Sequence, residues 1–122
     1  VHECREWIRD GAVDALQPDV GRCGGLTELR RIADMAALEG VLVVPHGWKT
    51  GITAAAGCHF QAATANAPYF ELLHPDLFDS PLRRDLVRPE LELRDGCVAV
   101  PGAPGLGIEL DAGAVARYRT GA

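Results

Sequence analysis

Three side chains that can exchange or donate protons recur along the chain at nearly equal intervals. They are Asp19, His46 and Glu71, which lie 27 and 25 positions apart. A histidine titrates near neutral pH, and a carboxylate on its other ring nitrogen fixes the tautomer and stabilises the imidazolium. The pattern therefore predicts an acid/base dyad of Asp19 and His46. Glu71 lies between Phe70 and Leu72, and a carboxyl group in such apolar surroundings can stay protonated and donate a hydrogen bond to a developing enolate oxygen.

Each of these residues also has a purely structural interpretation. Asp19 lies between Pro18 and Gly21, where an aspartate often forms a turn. His46 follows a proline and can be a buried, hydrogen-bonded residue. Glu71 can be a strand residue that points to water. The common interval of about one strand-helix unit favours the functional interpretation, because parallel strands bring their carboxyl ends to one rim of a barrel.

The elements around these residues alternate between helix and strand. Apolar residues at helical spacing predict helices over residues 2–10, 26–39 and 53–66. Short apolar runs predict strands over residues 13–18, 41–44 and 69–73. This alternation indicates an α/β fold of parallel βαβ units with right-handed crossovers.

The pattern changes in the last part of the chain, where prolines become frequent. Alternation of apolar and polar residues around Asp95-Gly96 predicts a hairpin. The stretch 101–107 is rich in glycine and proline and predicts a loop. We therefore divide the chain into βα units in residues 1–74 and a tail in residues 75–122.

Composition argues against several classes of function. The chain has 122 residues, of which 48% are hydrophobic and 24% charged, and its net charge is -5 with no run of five or more basic residues. A nucleic-acid backbone or an anionic membrane surface would therefore meet no electrostatic attraction. No apolar stretch approaches the roughly 20 residues that a membrane span requires. The four cysteines form no C-x-x-C pair and no secretory signal is visible, so we expect a cytoplasmic protein.

The length of the chain and its first residue both indicate part of a larger fold. A complete eight-stranded βα barrel needs about 250 residues, and the chain begins with Val1 and not Met, directly at a predicted helix. We therefore expect a portion of a barrel.

Two residues close behind His46 are further site candidates. Trp48 and Lys49 are predicted to line the pocket and contact the substrate, with a structural tryptophan and a solvated lysine as the alternatives. The other histidines show no spacing typical of metal ligands, so we predict no metal ligand within the chain.

Four short elements occur in a fixed order along the chain. They are Q-P-D-x-x-x-x-G-G, P-H-G, F-E and P-G-L-G-I, within residues 16–28, 43–47, 70–71 and 104–108. Together they resemble the C-terminal part of the mandelate racemase branch of the enolase superfamily. The resemblance implies strands six to eight of a (β/α)₇β TIM-type barrel, with the tail returning to a capping domain. It also implies that Asp19 and His46 form the dyad and that Glu71 contacts the substrate or its enolate.

The resemblance further implies the chemistry of that superfamily, in which a proton α to a carboxylate is removed and Mg²⁺ stabilises the resulting enediolate. The metal carboxylates and the lysine pair of the family are expected upstream of Val1, and Glu3, inside a predicted helix, is not taken as a ligand. We expect that the chain alone neither holds Mg²⁺ tightly nor turns over substrate. Family members are often octamers or dimers, which implies a homo-oligomer for the full-length protein.

Taken with the resemblance, the residues predict the C-terminal portion of a Mg²⁺-dependent enzyme that abstracts the α-proton of a small hydroxy-carboxylate. Dehydration of an acid sugar, a lyase reaction in carbohydrate catabolism, is the favoured activity. His46 abstracts the proton or protonates the departing hydroxyl, Asp19 orients His46, and Glu71 supports the enolic oxygens. Two alternatives stay open: a racemase or epimerase of a 2-hydroxy acid, and a barrel remnant without catalysis that acts as a structural or interaction module.

Overall fold

The computed structural model describes residues 1–74 and 76–121, and its first half alternates between helices and strands. The elements follow the chain as α1 His2–Arg9, β1 Ala15–Leu16, α2 Leu26–Leu38, β2 Leu42–Val43, α3 Gly51–Ala62, α4 Pro81–Leu86, β3 Val87–Arg88, β4 Leu93–Arg94, β5 Cys97–Val98, β6 Glu109–Leu110 and α5 Ala112–Tyr118. Within these described ranges, no helix has both the length and the apolar character that crossing a membrane would demand.

Strands β1 and β2 form a parallel pair, in the register Ala15 to Leu42 and Leu16 to Val43. The pairing continues past the short strands, because Val44 N–H donates to Leu16 O at 2.9 Å and His46 N–H donates to Pro18 O at 3.0 Å. Asp19 and His46 then form a further parallel bridge. The two predicted strands are therefore confirmed at their centres, and their carboxyl ends place Asp19 beside His46.

The strand predicted over 69–73 is wrong, since this segment forms no strand. On the edge of β2 away from β1, Val43 N–H donates to Asn66 O at 2.9 Å. The next position that would donate on this edge is Pro45, which has no N–H. Pro68 on the opposite segment also lacks an N–H. The ladder therefore stops after one hydrogen bond.

Helices α1 and α2 confirm the predicted helical spacing. In α2 the apolar face is fully covered, and its buried residues are Leu29, Ile32, Ala33 and Ala36. These side chains pack with Val43 of β2 and Phe60 of α3 in the main core. The core thus lies between the strand pair and the helices that flank it, which holds the strand ends in fixed positions.

Helix α3 begins and ends earlier than the predicted range 53–66. Thr50 forms a capping box with Thr53, in which Thr50 N–H donates to Thr53 Oγ1 at 3.1 Å. At the other end, the side chain of Asn66 donates to Val41 O at 3.1 Å. This bond ties the residue to the start of β2, outside the helix.

The predicted hairpin around Asp95-Gly96 is confirmed by the antiparallel pairing of β4 with β5. Asp95 and Gly96 have φ values of 50° and 76°, as a two-residue turn of this kind requires. Residues 101–107 form a loop, as predicted.

Three features of the tail were not predicted: helix α4, helix α5 and the pairing of β3 with β6. This part of the tail packs on α3. A Cβ added to Gly51 would lie 2.1 Å from Val87 Cγ2, and Leu91 is buried against Ala54 and Cys58.

Candidate active site

Asp19 lies in the turn that follows β1, and its two carboxylate oxygens have different neighbours. Oδ1 accepts a hydrogen bond from Gly21 N–H at 2.7 Å. Asp19 therefore does form the turn, but this uses only one of its two carboxylate oxygens. The side chain is 10% exposed, and Oδ2 remains available for the site.

Three positively charged or protonatable groups surround Oδ2 of Asp19. Lys49 Nζ lies at 3.2 Å, His46 Nδ1 at 3.6 Å and Arg22 Nε at 3.9 Å. Burial acts to raise the pKa of Asp19, but hydrogen bonding to Lys49 and Gly21 and the charges of Lys49 and His46 outweigh it and lower the pKa below its ordinary value. Asp19 is therefore an anion at neutral pH.

His46 lies between two carboxylates. Its Nδ1 faces Asp19, and its Nε2 lies 3.9 Å from Glu71 Oε2. An anion on the Nδ1 side favours the tautomer that carries its hydrogen there, which leaves Nε2 free to accept a proton. The ring also stacks on Trp48, with centroids 5.9 Å apart and planes inclined by 21°.

Glu71 reaches this site from a segment that is not a strand. Its Oε2 accepts a hydrogen bond from Gly47 N–H at 3.0 Å. A Cβ on Gly47 would lie 2.8 Å from the backbone oxygen of Glu71, so only glycine allows this approach. The glycine of the P-H-G element thus brings Glu71 close to His46.

A cavity of about 560 Å³ opens beside the dyad. The predicted site residues that line it are Asp19, His46, Trp48 and Lys49. Glu71 is not part of this lining and lies on the other side of the imidazole. The structure therefore brings the five candidates into one cluster around His46, with Glu71 outside the cavity wall.

Two further residues at the site were missed. Gln17 and Arg22 also line the cavity. Gln17 precedes Asp19 by two positions along an extended segment, so the alternation of side chains along a strand is the signal that could have found it. Arg22 follows Asp19 by three positions through the glycine turn, a spacing that the sequence shows but that needs the turn geometry to interpret.

The described residues do not provide a complete Mg²⁺ site. In residues 1–74 and 76–121, no three histidine, cysteine, aspartate or glutamate side chains are arranged to hold a metal ion. The carboxylate oxygens of Asp19 and Glu71 are instead engaged by N–H groups and cations. A divalent cation needs several converging carboxylates, and these residues do not supply them.

Parallel βα units with proton-exchanging side chains at the carboxyl ends of neighbouring strands are typical of the rim of a TIM-type α/β barrel, where active sites lie. Comparison with known proteins defines the family. The profile of the enolase C-terminal domain-like family matches residues 1–114. The chain belongs to this family and resembles its mandelate racemase and muconate lactonizing members.

Its relatives are isomerases, dehydratases and racemases of the enolase superfamily. The chain is 41% identical over 114 residues to D-galactarolactone cycloisomerase of Agrobacterium fabrum, covering 89% of this chain and 30% of that protein. It is 33% identical over 117 residues to arabinonate dehydratase of Saccharolobus solfataricus, covering 96% of this chain and 30% of that protein. The chain thus spans less than a third of either relative.

Solved structures show the same fold. A crystal structure provisionally called a racemase superimposes with a TM-score of 0.87 at 56% identity, covering 96% of this chain and 31% of that one. A mandelate racemase/muconate lactonizing enzyme from Jannaschia sp. CCS1 superimposes with a TM-score of 0.85 at 30% identity, covering 99% of this chain and 30% of that one.

Proposed function

We propose that this chain supplies the acid/base side of an enolase-superfamily active site that removes the proton α to the carboxylate of a hydroxy acid. The observation that carries the proposal is the position of His46, with Nδ1 at 3.6 Å from Asp19 and Nε2 at 3.9 Å from Glu71. This arrangement gives one imidazole an anionic support on one side and a second carboxyl group at the nitrogen that would react.

In the proposed reaction, Nε2 of His46 takes the α-proton. Asp19 stabilises the imidazolium that forms, because its anionic oxygen faces Nδ1. For dehydration, the same imidazolium returns the proton to the departing hydroxyl group, which leaves as water. One base on one face of the substrate is sufficient for both steps.

Glu71 acts in the proposal as a neutral donor to the developing enolic oxygens. Its Oε2 already accepts from the N–H of Gly47, so the donor atom of the proposed neutral form would be Oε1. A carboxyl group held in this way can donate to an oxygen that gains negative charge. Trp48 and Lys49 line the adjacent cavity and contact the substrate.

The remaining parts of the proposed enzyme lie outside this chain. Mg²⁺ would stabilise the enediolate, and its ligands would come from residues other than those described here. Strands β1 and β2 would be strands six and seven of the barrel, and residues 75–122 would pack on a capping domain in a cytoplasmic homo-oligomer. Acid-sugar dehydration is favoured because arabinonate dehydratase and L-rhamnonate dehydratase are among the relatives.

Racemisation or epimerisation is the second candidate. It begins with the same loss of the α-proton but requires a second base on the opposite face of the substrate. The resemblance to the structure provisionally called a racemase supports this candidate. The two reactions differ in product, since dehydration yields a keto acid and water whereas racemisation returns the hydroxy acid with inverted configuration.

The test is α-proton exchange by the full-length enzyme in D₂O with Mg²⁺. Arabinonate, rhamnonate and D-galactarolactone are the first substrates, and ¹H NMR follows both exchange and product. We expect the variant His46→Asn to lose at least about 100-fold in exchange rate, since a general base contributes on the order of 10²–10⁴-fold. His74→Asn, at an exposed histidine, serves as the matched control. Exchange in His46→Asn at the rate of the unaltered enzyme would remove His46 from this role.

A further inference from the structure

One oxygen atom of the site has two competing partners. Oδ2 of Asp19 lies closer to Lys49 Nζ, at 3.2 Å, than to His46 Nδ1, at 3.6 Å. The longer separation exceeds an ordinary N–H···O hydrogen bond. The anion that should support the imidazole is therefore held mainly by the ammonium group.

We propose that Lys49 is a positioning residue that competes with His46 for Asp19, weakens His46 as a base in the free enzyme, and releases Asp19 when an anionic substrate group attracts the ammonium. The inference rests on the proposed role of His46 and adds to it a step that strengthens the base only when the substrate is present. It also assigns the substrate class, since only an anion can draw the ammonium away.

The identity of residue 49 supports this inference. Lys49 is the one lysine among the 12 lysine and arginine residues of the chain. Lysine places a compact charge on a flexible stem and makes no rigid bidentate pair with a carboxylate, whereas arginine does. An ammonium is therefore the better group where a carboxylate must be bound and then released. The Lys49 side chain is 39% exposed and lines the cavity, so a bound anion can reach it.

The space around Gly21 allows the ammonium to lie at this position. A Cβ on Gly21 would lie 3.2 Å from Asp19 Oδ1 and 3.5 Å from Lys49 Nζ. A side chain there would press on Oδ1 of Asp19 and would make only an ordinary contact with the ammonium. The glycine of the turn therefore helps to keep the carboxylate in the position from which its Oδ2 meets Lys49.

The charges around His46 come from every element that packs near it. Asp19 follows β1, Arg22 lies in the turn before α2, Lys49 follows β2, and Glu71 follows α3. Other titratable groups lining the same cavity are Glu3 and Cys4 of α1 and Cys23 of the turn. Arg22 lies 3.9 Å from Asp19, and its side chain is 78% exposed. Removal of Lys49 would therefore leave Asp19 with His46 as its nearest cationic partner.

The experiment measures the proton affinity of His46 in the full-length enzyme by NMR of ¹³C-labelled histidine, with no substrate. We expect Lys49→Met to raise this proton affinity by at least about threefold, because it removes a neighbouring cation and frees Asp19. Lys49→Arg, which keeps the charge, should stay close to the unaltered enzyme. Arg22→Met is the matched control for loss of a more distant cation and should cause a smaller change.

Kinetics on the same variants test the release of Asp19. The acid limb of kcat/KM reports the free enzyme, and that of kcat reports the substrate complex. In Lys49→Met we expect the acid limb of the pH profile of kcat/KM to move to higher pH, while the acid limb of the pH profile of kcat stays in place. An unchanged NMR titration would overturn the competition, and equal movement of both limbs would overturn the release. Because the NMR reading needs no turnover, failure of this inference is distinguishable from failure of the proposed reaction.

Discussion

The N–H of Gly47 donates to the side chain of Glu71 at 3.0 Å. This bond lies on the same edge of β2 as the bond from Val43 to Asn66, but its acceptor is a carboxylate and not a backbone carbonyl. A side chain thus takes the place of the backbone ladder where Pro45 and Pro68 cannot donate. The same contact brings Glu71 to His46.

Substitution of Glu71 should separate its two roles. Glu71→Gln keeps an acceptor for Gly47 but replaces the acidic O–H with a much less acidic N–H donor, so we expect near-normal stability and at least about tenfold slower turnover. Glu71→Ala removes the acceptor as well, and an unpaired N–H costs on the order of 1–3 kcal/mol. Activity assays and urea unfolding of the full-length enzyme measure the two effects, with Glu92→Gln as the exposed control. Equal stability of the Gln and Ala variants would contradict the structural role.

Asp19 predicts a specific loss of stability in acid. Its pKa in the folded protein lies below the ordinary value of 3.8, so ionisation of Asp19 is more favourable in the folded state than in the unfolded state. This stabilisation is complete above the ordinary pKa and disappears as the pH falls through the lowered folded value. The difference in free energy of unfolding between the unaltered protein and Asp19→Asn should therefore become smaller under acidic conditions.

Thermal unfolding of the full-length protein between about pH 2 and pH 6 measures this difference. The exposed residue Asp14 offers a control, because Asp14→Asn also removes one negative charge. A difference between the unaltered protein and Asp19→Asn that is the same at every pH would show that the charge of Asp19 contributes nothing to stability.

Gly51 tests the contact between the tail and α3. In Gly51→Ala the new Cβ would lie 2.1 Å from Val87 Cγ2, and such overpacking costs about 1–3 kcal/mol. Gly102→Ala, where nothing lies within 4 Å of the new Cβ, should be nearly neutral. In the double variant with Val87→Ala the clash disappears, so the two substitutions should not add. Additive effects in urea unfolding would argue against this contact.

The cysteines should differ in reactivity. Cys58 is buried, and burial raises the pKa of its thiol, whereas Cys97 is exposed. Because the thiolate is the reactive form, iodoacetamide should alkylate Cys97 at least about tenfold faster than Cys58 in the native protein. Peptide mapping by mass spectrometry follows both sites. The rates should converge in urea, and equal rates without urea would show that Cys58 is accessible.

The strand ends that carry Asp19 and His46 could be predicted from the sequence, because apolar runs and the turn residues after them mark where parallel strands stop. The environment of Asp19 could not be predicted from the sequence, since the distance between its carboxylate and the ammonium group of Lys49 depends on the shape of two loops. Glu71 was assigned to the site through the wrong element. The prolines at 45 and 68 are visible in the sequence, but their effect on the ladder appears only once the register is known.

In the tail, prediction from the sequence was limited by the shortness of the helices. Helices α4 and α5 are too short for a periodic pattern, yet both have local start signals. Ser80 occupies the N-cap position of α4, and Pro81 is the first residue of the helix. Asp111 caps α5 through a hydrogen bond from Ala114 N–H at 2.7 Å. Such signals locate a helix start, whereas the length of the helix is decided by its packing partners.

The bond between Gly47 and Glu71 makes one proton serve two purposes. A hydrogen on the Glu71 carboxyl group allows it to donate to a reacting oxygen, but it also removes negative charge and so weakens the hold on the Gly47 amide. In the proposed reaction the neutral carboxyl group donates to the substrate, whereas the ionised group would join the segment around Glu71 more firmly to Gly47.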